Sequence, residues 1–287
     1  MRDYLARAEQ LGLSGAWVME SILSSTPMIS ALEMLSYAAA CTEHIRLGVA
    51  VLVTSTHEPL QLSHQVASLD QLSHGRLDLG IAPGARSPDL SAFGVDPASF
   101  ITRFTEGLEL MKAAWSDEPT LTHHGRFHDV DGLAFVTKPI QRPHPPLWFG
   151  ASAPKALARA VRLGDGFLGG GSATTAEFAE QVQVIRREMT AQGRTEFGIA
   201  KRVYLMIDDD VRRARRLAVE GLRRTYGQWS GVEHLPVVGT PTDVVRGLRE
   251  VIDAGAQTIV LNPVGADVPA NREQLERLAT QVLPALN

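Results

Sequence analysis

Apolar positions along the chain follow two alternating rhythms: short continuous runs, and stretches in which they return every three or four residues. The runs predict strands at residues 15–20, 45–54, 77–82, 146–150, 166–169, 202–207 and 258–262. The longer rhythm predicts helices at residues 2–11, 27–41, 59–72, 99–115, 154–163, 175–192, 211–226, 241–254 and 272–286. Unbroken apolar strands, each followed by a helix, suit a parallel sheet or barrel covered on both faces. Residues 118–140 depart from this rhythm: Thr120-Leu-Thr, His123-His-Gly-Arg126 and Phe127-His-Asp read as a small hairpin. Residues 83–98 and 227–239 are the least patterned parts and read as long loops. No internal repeat, low-complexity stretch or linker divides the chain, so one domain over residues 1–287 is expected.

The segment Leu69-Asp-Gln-Leu-Ser-His-Gly-Arg-Leu-Asp-Leu-Gly-Ile-Ala-Pro-Gly84 shows how the turns are written. Gly75 can take the left-handed conformation that closes a helix, and Asp70 and Ser73 can bond free backbone groups near that turn. In α/β barrels chemistry sits where strands end, and the opposite face serves stability. His74 and Arg76 precede their strand, which assigns them to the stability face. The positions that matter for chemistry are Glu20-Ser21, residues 49–56, 82–86, 150–155 and 169–172, Ile207 and residues 262–265.

Composition narrows the possibilities. The chain has 287 residues, 44% of them hydrophobic, and a net charge of −4, which supplies no basic footprint for nucleic acid. The arginines of Arg212-Arg213-Ala-Arg-Arg216 follow Asp208-Asp-Asp210 and read as a charge-balanced helix face. The single Cys41 excludes an internal disulfide, and its apolar setting reads as a buried, inert thiol. There is neither a membrane-spanning apolar run nor a signal-peptide pattern, so a cytoplasmic protein is expected. His123, His124 and His128 lie near Asp129 and Asp131 but lack zinc-site spacing and a cysteine partner, so no metal is expected.

Two glycine-containing turns stand out on chemical grounds. Phe149-Gly-Ala-Ser-Ala-Pro-Lys155 joins a strand to a helix with Pro154 in its first turn. Such a turn exposes backbone N–H groups at a helix N-terminus, where Ser152 adds a hydroxyl and Lys155 a charge, so it can seat a phosphate. A simple capped strand–helix unit accounts for the same residues equally well. Gly169-Gly-Gly-Ser172 can line a cavity where side chains would intrude, or form a flexible loop.

These segments, with Ile45-Arg-Leu-Gly-Val-Ala-Val-Leu-Val-Thr54 and in this order along nearly the whole chain, resemble the bacterial-luciferase-like family of flavin-dependent oxidoreductases. The resemblance implies a (β/α)8 TIM barrel, although the seven strands read here lack the family's first strand. It places the flavin phosphate at Gly150, Ala151 and Ser152, with Lys155 beside them and Gly169 and Gly170 lining the cavity. It also implies a non-proline cis peptide at Ala50–Val51 behind the flavin ring. Two departures stand out. Where many relatives carry an acidic residue followed by a catalytic histidine, this chain has Glu20-Ser21. Where luciferases carry a phosphate-binding arginine it has Pro83, with Arg86 as a possible replacement. Glu20 is then an acid or base, or a structural carboxylate tied to backbone N–H groups or to an arginine such as Arg103. His57 is a substitute proton donor, or an exposed histidine. Arg103 resembles a position near the cavity, or forms a surface ion pair with Glu106.

The function implied is a monooxygenase that uses reduced FMN and O₂ on a small organic substrate. The chain has no Gly-x-Gly-x-x-Gly fingerprint, so a separate flavin reductase is the expected supplier of reduced flavin. A homodimer through an apolar surface at residues 28–37 is also expected. The alternatives are hydride transfer with the deazaflavin coenzyme F-420, and a non-catalytic flavin-binding or partner subunit.

Overall fold

The structure is a computed structural model that describes residues 1–23, 27–84, 88–227, 230–265 and 267–286. In chain order it begins with α1 (Arg2–Gln10), β1 (Gly15–Val18), α2 (Ala31–Ala39), β2 (Arg46–Val53), α3 (Pro59–Leu72) and β3 (Leu77–Ala82). Next come α4 (Phe100–Trp115), β4 (Thr120–His124), β5 (Asp129–Ala134), β6 (Leu147–Gly150), α5 (Pro154–Leu163), β7 (Gly166–Gly169) and α6 (Thr175–Ala191). The chain closes with β8 (Gly198–Ile207), α7 (Val211–Tyr226), β9 (Val237–Gly239), α8 (Pro241–Asp253), β10 (Thr258–Pro263) and α9 (Val268–Arg277). It divides into two compact units, Ser14–Phe149 and Gly150–Asn287, the latter including most of α1. No helix among the described residues is long and apolar enough to cross a membrane.

In the first unit, β1, β2, β3 and β6 pair in that order, all parallel. The pairing of β2 with β3 steps from Val49↔Leu79 to Leu52↔Ile81, so β2 carries one extra residue there. Val49 and Leu52 are fully buried, whereas Ala50 and Val51 at the bulge are half-buried. Opposite the bulge, a Cβ at Gly80 would collide with the Val49 carbonyl oxygen, so this close approach requires glycine. Helix α4 presents Phe104, Leu108, Met111 and Trp115 on one buried stripe, as three- and four-residue spacing dictates. Trp115 Nε1 donates to the Ser63 carbonyl of α3 at 3.0 Å, and Phe104 meets Phe149 edge to face.

The turn before β3 serves stability, as its position predicts. Gly75 is left-handed at φ +76°, and the buried Arg76 donates to the carbonyls of Ala39, Thr42, Ile45 and Ser73. One guanidinium thus satisfies groups at the ends of α2 and α3 and the start of β2. Arg46 clamps Asp78 with two hydrogen bonds, at 2.6 and 2.9 Å, at the same ends of the strands.

In the second unit, β7, β8 and β10 are parallel, and β9 pairs with the far end of β8. Capping boxes start α6 (Thr174 with Glu177) and α8 (Thr240 with Asp243). The arginine-rich face of α7 is balanced as expected: Arg213 pairs with Asp208 and Arg216 with Glu220.

Several boundaries move. The helix expected at residues 27–41 spans only Ala31–Ala39, with Ser30 at its N-cap hydrogen-bonded to Glu33. The strand expected at 202–207 begins at Gly198, and the closing helix begins at Val268 and gives way after Arg277 to a wider turn over Leu278–Val282. Strand β9 lies inside the stretch read as a loop, since three residues are too few for a periodic signal. The hairpin is present as β4 and β5, with Thr120 opposite Ala134. Cys41 is half-buried rather than fully enclosed.

Candidate functional site

In the first unit the ends of β1, β2 and β3 are tied together by side chains from the segments that follow them. Glu20, two residues beyond β1, accepts the Val53 N–H on Oε2 at 2.7 Å and meets His57 Nε2 through Oε1 at 2.8 Å. A turn of 3₁₀ helix over Thr54–Thr56 sets His57 in place, with Thr56 Oγ1 donating back to the Val53 carbonyl. Ser55 Oγ donates to the Pro83 carbonyl at 2.6 Å, which fastens the same turn to the end of β3. The Glu20 side chain is 7% exposed and that of His57 21%. Both line a cleft of about 210 Å³ that Leu32, Glu33, Thr56 and Gln61 also border.

This geometry narrows the alternatives left open for both residues. Glu20 is tied to a backbone N–H, as in its structural reading, but its second oxygen engages His57 and not Arg103. A carboxylate on one imidazole nitrogen orients the ring. His57 is therefore not an isolated surface histidine.

Arg103 lies in the first turn of α4 and lacks the Glu106 partner that its spacing allows. It faces Glu58 at 4.0 Å and stands over the Phe127 ring at 5.9 Å. Glu106 instead points to the buried side of α4, where it accepts the backbone N–H groups of Arg126 (3.0 Å), Phe127 and His128 (2.7 Å each). Burial pushes the Glu106 carboxyl up, and these three bonds outweigh it to hold the pKa below the ordinary value. Three donors on a tight loop into the hairpin need an acceptor, and that need outcompetes a surface ion pair.

The bond between Ala50 and Val51 is cis, as the resemblance implied, and lies at the bulge of β2. Arg86 lies outside the described residues. Among those described, no group of three or more His, Cys, Asp or Glu side chains could hold a metal ion. His124 pairs with Asp129 at 2.7 Å on the exposed edge of the hairpin.

In the second unit, Gly150, Ala151 and Ser152 lead into α5, whose N-cap is Ala153. Ala153 at the N-cap supplies no side-chain cap to this helix, and Ser152, Ala153 and Lys155 are exposed. Gly169 is a packing position: the place of its missing side chain is taken by the Phe178 ring, 2.7 Å from where a Cβ would be. A Cβ at Gly170 would meet Ser172 Oγ only at 3.5 Å, so that position has room.

Two functional groups escaped the sequence reading. Lys201 is buried beneath the glycine turn and donates from Nζ to the carbonyls of Gly170 and Ala173, both at 2.7 Å. Burial pushes its pKa down to about 8. The signal was a lone lysine within the apolar run of β8. His128, weighed only as a metal ligand, is buried with Val130 on the inner face of the hairpin. Their two-residue spacing carried that signal.

The oxygenase component of a flavin-dependent trigonelline monooxygenase from Acinetobacter baylyi is 29% identical over 164 residues, 55% of this chain and 44% of that protein. The chain's matches span less than half the length of such curated relatives. The crystal structure of monooxygenase RslO1 from Streptomyces bottropensis superimposes with a TM-score of 0.86 at 24% identity, over 99% of this chain and 93% of that one. A coenzyme F-420-dependent secondary alcohol dehydrogenase, solved with a coenzyme–acetone adduct, superimposes at 0.87 with 16% identity, over 100% and 94%. These likenesses show the TIM-barrel fold of luciferase-like proteins. The profile of luciferase-like monooxygenases matches residues 1–258, and the chain belongs to that family.

Proposed function

We propose that the protein is a flavin-dependent monooxygenase that uses reduced FMN and O₂ on a small organic substrate, with Glu20 and His57 as its acid–base pair. The observation that carries this reading is their 2.8 Å contact in a cleft at the strand ends. Glu20 orients the imidazole, and His57 moves a proton at Nδ1. The residues present fit a flat ring: at Ala50 and Val51 the strand changes from fully buried to half-buried, and Ala50 is small enough for close approach. When bound, reduced flavin supplies the electrons that activate oxygen. Arg103 borders a pocket beside His57, where its guanidinium suits a polar group of the substrate. The uncapped start of α5, with Ser152 and Lys155, is proposed as a phosphate seat in its own right.

A second reading, hydride transfer with coenzyme F-420, is favoured by the likeness to the alcohol dehydrogenase over the whole chain. Absorption spectra of the purified protein with FMN and with coenzyme F-420, then anaerobic reduction and exposure to O₂ with candidate substrates, separate the two. The first reading expects FMN binding and oxygen-dependent turnover. Binding of coenzyme F-420 alone would replace it, and FMN binding without turnover under any donor would leave a non-catalytic subunit.

The relative's description as an oxygenase component supports a separate flavin reductase as partner. The exposed Met28, Ile29 and Tyr37 support a homodimer, and sedimentation showing only monomer at micromolar concentration would reject it.

A further inference from the structure

Beside the Glu20–His57 pair lies a second, smaller pocket with about 10 Å³ of free space, close to the room one water molecule needs. Its lining includes Thr54, Ser55, His57, Arg103, Met111 and His128. Two of these residues carry buried nitrogens with no hydrogen-bond partner, Arg103 Nε and His128 Nε2. Buried polar atoms are nearly always satisfied, so two orphans on one small pocket point to a ligand that serves both.

Their chemistry says what kind. Arg103 Nε can only donate. The His128 side chain is 6% exposed, and its Nδ1 faces Glu58 Oε1 at 3.5 Å, which draws the ring proton to Nδ1 and leaves Nε2 an acceptor. The charged and titratable groups around this ring are Glu58, Arg103, Glu106 and His123. Burial is the largest influence and lowers the imidazole pKa, so the ring is neutral near pH 7. An anion would satisfy Arg103 but not a neutral Nε2, and a cation would face the guanidinium. A hydroxyl group accepts from one and donates to the other.

We propose that this pocket is a hydroxyl-binding site, filled by a single water molecule in the resting protein, that ties Arg103 to His128 next to the Glu20–His57 pair. The site stands on its own geometry and holds whichever flavin the protein uses. His128 is then a positioning residue: through the water it fixes the Arg103 guanidinium, whose ion pair among the described residues is the long one to Glu58. A substrate hydroxyl offers the same chemistry and would enter by displacing the water.

A crystal structure of the full chain at about 1.5 Å, without substrate, tests this directly. A water peak is expected within about 2.7–3.2 Å of both Arg103 Nε and His128 Nε2. An empty pocket overturns the proposal, as does an anomalous bromide peak there after a bromide soak. In solution, ¹⁵N NMR should show the His128 ring with its proton on Nδ1 at pH 7. His128→Phe should speed exchange of the Arg103 Nε proton at least about tenfold, and His128→Gln, which keeps an acceptor, should restore the slow rate. Unchanged exchange in the folded Phe variant overturns the link. Should that variant fail to fold, the wild-type crystal and ring tautomer still decide the matter.

Discussion

Glu20 Oε1 and His57 Nε2 stand 2.8 Å apart although 37 residues separate them in the chain. The second oxygen of the same carboxylate takes the Val53 N–H at 2.7 Å, so one side chain both completes the end of β2 and orients the imidazole. The pair therefore has a structural and a chemical component, which substitution can separate.

Glu20→Gln keeps the shape and removes the charge. Turnover is expected to fall by about 10²-fold or more, the usual size of a general acid–base contribution, with flavin affinity retained. His57→Gln should lose a similar factor. Normal turnover in a folded, flavin-binding Glu20→Gln protein would confine Glu20 to its bond with Val53.

At the start of α5, the free N–H groups and the exposed Ser152 and Lys155 are expected to hold an anion. A Ser152→Ala, Lys155→Glu double variant should weaken FMN binding by about tenfold or more, read by fluorescence titration; the helix-end N–H groups that remain supply the residual affinity. An unaltered dissociation constant would put the phosphate elsewhere.

The Glu106 carboxylate serves three backbone donors at once. Glu106→Gln removes the charge and one acceptor oxygen, and should cost about 2–4 kcal/mol in urea unfolding, as expected when buried donors lose their acceptor. Because the folded pKa lies below the ordinary 4.5, this stabilisation is present above that value. It is lost as pH falls through the folded pKa. The variant should therefore lack part of the wild-type acid sensitivity.

Lys201 has the opposite dependence. Its pKa falls from 10.5 to about 8 on burial, so between those values the folded chain binds fewer protons than the unfolded one. Stability from this group should rise with pH across that window, because the cost of burying the ammonium disappears. Lys201→Met should be free of this slope, which denaturation series at pH 7.5, 9 and 10.5 for both proteins would show. Parallel curves would mean that the carbonyls of Gly170 and Ala173 fully compensate the buried charge.

Several features were legible in the chain because their causes are local. The parallel strands announce themselves as runs that must be apolar on both faces, as the consecutive Val203, Tyr204, Leu205, Met206 and Ile207 are, all buried. The hairpin showed as a break in rhythm, and Gly75 as a helix stop. Even Lys201 and His128 left traces, a lysine in an apolar strand and a histidine two residues from a buried valine. Resemblance, not residue chemistry, supplied the Ala50–Val51 peptide.

By itself, then, the sequence determined the alternation of strands and helices, the face on which Arg76 works and the strand ends at which chemistry can sit. These follow from burial and turn geometry within a few residues. Only the tertiary structure decided that Glu20 would hold His57, that Glu106 would leave Arg103 for three backbone donors, and that Phe178 would occupy the space at Gly169. Each of these depends on which side chains converge when distant segments pack together, and a periodic pattern along the chain does not encode that convergence.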